Sequence, residues 1–176
     1  MRRRKIRRLT LSAMLFALGI FLPFLTGQVP EIGNMLLPMH IPVLLAGFAL
    51  GPLWGLAVGA TLPLVRSLIF ARPVLFPNAV AMAAELATYA FVVGILYSKM
   101  KKSTFSVYFS LVSAMIFGRV VWGAVMALLM LGGAKFGWGI FLSSALTEAI
   151  PGIIIQLVLI PIIILALRRS RLWDFD

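Results

Sequence analysis

Five polar side chains stand inside or beside long apolar runs of this sequence: His40, Arg66, Glu85, Arg119 and Glu148. A charge held at bilayer depth costs several kcal/mol, so each must face a neighbouring helix or an aqueous cavity and meet a partner there. The chemistry open to such a set is recognition. A guanidinium forks onto a carboxylate or phosphate, and a carboxylate accepts from an amine or a ring N–H. Catalysis finds no support, because the chain has no cysteine and no HExxH, GxSxG or Walker sequence. One histidine and scattered carboxylates do not make a metal site, so neither a metal nor another cofactor is expected. The chain does not read as an enzyme.

Positioning these side chains requires helices in lipid. Of 176 residues, 62% are hydrophobic and only 12% charged, about half the usual charged fraction of ~25%. Too few polar side chains remain to coat a soluble domain. The fold class expected is all-α: a polytopic six-helix membrane bundle, one domain over residues 1–176. Spans are expected at about 9–25, 38–50, 54–70, 76–97, 107–131 and 138–167. The second is short for a bilayer core of roughly 30 Å at about 1.5 Å per residue, so it must tilt or borrow residues on either side. Thr26–Leu37 reads as an irregular loop and Gly51-Pro52 as a tight turn. The basic start followed by Leu9–Leu25 looks like a signal peptide, but no convincing cleavage site follows. It reads as a retained first helix.

The net charge of +11 invites comparison with nucleic-acid binders, yet its placement argues for a lipid surface instead. Met1–Arg8, Lys99–Lys102 and Arg168–Arg171 hold 12 of the 16 Lys and Arg residues, and each cluster flanks an apolar run. Six crossings return the chain to its starting side, which puts all three clusters on one face. Arg72 and Lys135 are the only basic residues in the opposite loops. Both termini are therefore expected in the cytoplasm. The bilayer is a partner and nucleic acid is not.

Counting residues from the ends of the spans gives depth. His40 and Arg66 fall near the outer ends of their spans, while Glu85, Arg119 and Glu148 fall near the middle. That distribution suggests a polar cavity open to the outside above an apolar base. Trp122, three residues after Arg119 on one helix face, can wall such a cavity. Two readings stand side by side here. Arg66 with Glu85, or Arg119 with Glu148, serve either as structural ion pairs or as ligand contacts, and His40 either fits between helices or meets a ligand. Small residues four apart (Ala13 and Ala17, Gly47 and Gly51, Gly55 and Gly59, Ala79 with Ala83 and Ala87) allow helix backbones to approach closely.

Three stretches carry a family resemblance. Arg7–Leu18 has a basic start followed by Ala13-x-x-x-Ala17. Pro38–Pro52 reads PMHIPVLLAGFALGP, and Gly55-Leu56-Ala57-Val58-Gly59 precedes a polar position in the outer half of its span. Together these resemble the substrate-binding S components of energy-coupling factor (ECF) vitamin transporters. The resemblance implies a six-helix subunit that binds a small vitamin from outside. It also implies a membrane scaffold, the T component, and through it two ATPases. Ala13 and Ala17 match the scaffold-facing small residues of that family. Its cavity, formed by the first loop and helices four to six, would take in Gln28, Glu31, Asn34, Asn78, Glu85, Arg119, Trp122, Thr147 and Glu148, beside His40 and Arg66. The charge inventory leans slightly to pantothenate, with pyridoxine and hydroxymethylpyrimidine next. A stand-alone secondary transporter or channel and a non-transporting assembly subunit are the alternatives.

Overall fold

Helix is what this chain can form in lipid, since a helix satisfies its own backbone groups. The computed structural model describes residues 2–26, 36–130 and 150–169. Among these residues it contains α1 (Arg2–Phe21), α2 (His40–Leu50), α3 (Pro52–Phe70), α4 (Val80–Lys99), α5 (Thr104–Leu129) and α6 (Ile150–Arg169), and no strand. A 3-10 turn, Leu22–Thr26, continues α1, and a π-type turn, Leu75–Ala79, leads into α4. All of these except α2 are long and apolar enough to cross a membrane, α1 and α4 together with their turns. The fold is an all-α membrane-type bundle.

Two helices begin earlier than the apolar runs suggest. α1 starts at Arg2, so the basic segment is its first two turns rather than a tail before it. Arg and Lys are good helix formers, and their long stems let the charges reach the headgroups. α5 starts at Thr104 because Ser103 caps it: the Ser103 side chain accepts from the Ser106 N–H while Ser106 returns the bond. Expected residues 131–149 of the last two spans and their loop lie outside the described residues.

α2 occupies the centre. It is only 11 residues long, about half of a bilayer core, and every residue but Leu45 is buried. Val43, Ala46, Ala49 and Leu50 pack with Leu15 of α1, Val58 and Leu62 of α3, and Leu86 and Ala90 of α4. Leu44 and Phe48 pack with Val93 and Tyr97 of α4, Val107 and Leu111 of α5, and Ile160 and Ile164 of α6. Apolar on all sides, α2 is enclosed by protein rather than lipid, so its length need not match the bilayer. Gly51 ends it at φ 86, a left-handed value that glycine adopts without strain, and Pro52 starts α3 immediately.

Several small residues act where expected. A Cβ on Gly47 would stand 2.6 Å from the Ala90 carbonyl oxygen, and one on Gly55 would stand 2.8 Å from the Gly47 Cα. A Cβ on Gly59 would meet the Leu86 carbonyl oxygen at 2.5 Å. Backbones of α2, α3 and α4 thus touch directly. Gly51 differs from its expected pairing with Gly47: nothing lies within 4 Å of its Cβ position, and its role is the turn.

Contacts along the helices order their ends. Arg66, near the end of α3, donates to the Ile20 carbonyl near the end of α1, so these two helices run parallel. Pro52 at the start of α3 packs on Gly94 late in α4. Arg168 Nη2 donates to the Lys102 carbonyl in the α4–α5 turn at 2.6 Å. The start of α1, the α4–α5 turn and the end of α6 therefore share one basic end.

Candidate functional site

Glu85 is the hub of the polar interior. It sits on α4 and is 1% exposed. Its Oε1 lies 3.2 Å from Arg119 Nη1 on α5 and 3.7 Å from His40 Nε2 at the start of α2. Tyr89, one turn along α4, donates its hydroxyl to the same oxygen at 3.1 Å. The rings of His40 and Tyr89 meet edge to face at 5.4 Å between centroids. One carboxylate thus meets polar groups from three helices, the kind of partners that a charge at bilayer depth requires.

The helices place these groups by register. The His40–Tyr89 contact recurs two turns on as Phe48 against Tyr97, centroids 5.0 Å apart. α2 and α4 are therefore parallel and in step. Gly118 of α5 lies directly against the Tyr89 ring, where any Cβ would overlap it. The missing side chain makes room for that ring, whose hydroxyl reaches Glu85.

The cluster leaves donors over. Among the described residues, Arg119 Nε and Nη2 and both ring nitrogens of His40 are buried without a hydrogen-bond partner. Nη1 of Arg119 faces Glu85, while Nε and Nη2 form the opposite edge of the guanidinium. That edge is the fork that takes a carboxylate side-on with two parallel bonds.

Of the residues expected to form the site, the structure brings together His40, Glu85 and Arg119. Arg66 is elsewhere, because the contacts of Pro52 with Gly94 and Gly59 with Leu86 set it more than one turn beyond Glu85. It is 3% exposed and bonded to the Ile20 carbonyl, with Phe24 and Phe70 flanking its guanidinium at 5.3 and 5.4 Å. The pairing of Arg66 with Glu85 gives way to that of Arg119 with Glu85. Asn78 is exposed in the turn before α4, about two turns beyond Glu85. Trp122 is half-buried one turn beyond Arg119. Gln28, Glu31, Asn34, Thr147 and Glu148 lie outside the described residues. Ala13 and Ala17 are both exposed on α1.

Tyr89, Gly118 and Gln156 were not singled out from the sequence. A Glu–Tyr pair at i,i+4 in an apolar helix is a usable signal for the first. The second has no signal without its neighbour. Gln156 stood in the open as the one amide inside the last apolar run.

A polytopic helical membrane protein with a paired carboxylate and spare buried donors defines a class: a membrane subunit built to hold a small polar ligand. The profile of the family described as "ECF transporter, substrate-specific component" matches residues 7–164, nearly the whole chain. The chain belongs to that family. It is a multi-pass membrane protein, a substrate-specific transporter subunit and not an enzyme. Such subunits associate with a T component and ATPases and take a small-molecule substrate. No curated protein and no solved structure is significantly similar to it.

Proposed function

We propose that this subunit captures a small water-soluble vitamin at the Glu85–Arg119–His40 junction, with pantothenate, which carries a carboxylate, ahead of the neutral pyridoxine and hydroxymethylpyrimidine. The observation that carries the reading is the side-on fork of Arg119, whose Nε and Nη2 are buried and unpartnered among the described residues. Glu85 already balances one charge of the site. A monoanion on the fork would leave the pocket with one net negative charge, moderated by the His40 and Tyr89 donors. A dianion would fit worse. The basic end of the bundle faces the cytoplasm by the positive-inside rule, so the junction, two-thirds of the way along α5, opens outward. All six expected spans belong to one domain in this reading. Ala13 and Ala17 on the exposed side of α1 meet the T component.

The test is retention. Protein purified in mild detergent, then denatured, should release its vitamin for mass spectrometry. Calorimetry on the emptied protein should then show saturable binding of pantothenate. A folded protein that retains no vitamin and binds none of the three candidates would overturn the reading.

A further inference from the structure

Three buried layers repeat along one seam of the bundle. Phe48 and Tyr97 meet in the first, with Val107 and Ile164 in the same apolar cluster. One turn toward the junction, Leu44, Val93, Leu111 and Ile160 belong to the same cluster. Another turn brings His40 and Tyr89 together, with Met115 on α5. On α6, the residue one turn beyond Ile160 on the same face is Gln156. It is 1% exposed, and its Nε2 has no hydrogen-bond partner among the described residues. An amide N–H group left without a partner inside an apolar bundle is destabilising, and its neighbours along this face, Ile160 and Ile164, are wholly apolar. An aliphatic residue would suit the same position better for packing alone.

We propose that Gln156 is a specificity-determining residue of the substrate site, resting on the function proposed above. With His40 it forms a polar floor one layer below the Arg119 fork. α6 runs antiparallel to α5, because its end meets the α4–α5 turn through Arg168. Counted in turns from that contact, Ile164 falls near Val107 and Ile160 near Leu111, all four in one buried cluster, which puts Gln156 about level with Met115, about 6 Å of rise below Arg119. The ligand class follows. It carries a carboxylate at one end for Arg119 and, about one helical turn deeper, an amide or hydroxyl that both gives and accepts hydrogen bonds. The Gln156 amide can offer either its N–H or its C=O to that group, and the His40 ring can do likewise. In pantothenate the β-alanyl spacing sets an amide at about that distance from the carboxylate.

Gln156→Met keeps length and volume while removing both polar atoms. In ligand-free protein this change should raise Tm by about 2–4 °C, because an unpaired buried amide is removed. Pantothenate affinity of the same variant should fall about tenfold to a hundredfold. A lowered Tm in ligand-free Gln156→Met would overturn the assignment, since it would mean that the amide is bonded within the fold. So would a failure to fold in Gln156→Met when Gln156→Asn folds normally. Unchanged pantothenate affinity alongside a raised Tm also overturns it, leaving Gln156 buried but away from the ligand. Wild-type protein that binds no pantothenate overturns the functional reading instead. The melting measurement, which uses no ligand, still decides whether Gln156 is an unpaired amide.

Discussion

Arg119 and Arg66 are the same residue type at similar removes from the basic end, and their surroundings separate them. Arg119 shares Glu85 with His40 and Tyr89 and keeps two donors over. Replacing it with Met keeps most of the length and leaves Glu85 with weaker partners. We expect vitamin affinity to fall by about 2–4 kcal/mol, or roughly 30-fold to 1000-fold. Calorimetry alongside Tm in detergent tells the roles apart: unchanged affinity in a folded variant rules out ligand contact. Arg66, in contrast, meets the Ile20 carbonyl in the last turn of α1, where a positive charge complements the helix dipole, and lies between two rings. For Arg66→Met we expect a lower Tm, by about 1–2 kcal/mol of stability, with vitamin affinity changed less than tenfold. A loss of affinity as large as that of Arg119→Met, with Tm unmoved, would place Arg66 at the ligand.

Among the elements, α2 decides the interior. Its two faces serve two clusters, and its approach to α4 depends on Gly47 lying against the Ala90 backbone. A backbone atom cannot swing aside as a side chain does. Gly47→Val should therefore separate α2 from α4 and cost about 3 kcal/mol or more. Gly51→Ala makes the comparison, since open space surrounds it and only its positive φ resists; about 1 kcal/mol is expected there. Thermal unfolding of both variants, followed by size-exclusion profile, checks the order. A Gly47 variant as stable as the Gly51 variant would show that the two helices can part without loss. The same separation would shift His40 against Glu85, so ligand affinity should follow stability in the Gly47 series.

At the scale of the molecule, the apolar exterior divides into lipid-facing and partner-facing parts. α1 exposes Ala13 and Ala17 between larger apolar residues such as Leu9, Met14 and Leu18. Small residues on an exposed helix face let another helix approach, whereas lipid alone has no need of them. Ala13→Trp and Ala17→Trp should block assembly with the T component and abolish uptake, with vitamin affinity intact by calorimetry. Lost affinity with assembly preserved would instead assign these alanines to the internal packing. No Walker sequence exists anywhere in the 176 residues. Reconstituted alone in vesicles, the subunit should bind vitamin without accumulating it, whether ATP or a proton gradient is supplied. Accumulation driven by a proton gradient would make it a transporter in its own right.

Composition, charge placement and turn residues were sufficient for the class: an all-α membrane-type bundle of long apolar helices, with the described basic clusters at one end. Those features follow from transfer between water and lipid, which each residue undergoes largely on its own, so they can be read along the chain. The resemblance carried by Arg7–Leu18 and Pro38–Pro52 likewise needed no coordinates to point at the right family. Partnership could not be read this way. Which arginine meets Glu85, why Gly118 must lack a side chain beside Tyr89, and why an 11-residue helix is stable at the centre all depend on register between helices distant in sequence. Arg66 and Arg119 look equivalent in a hydropathy profile. Only the register of α3 against α1 and α4, and of α5 against α4, sets one at a helix end and the other at a buried carboxylate.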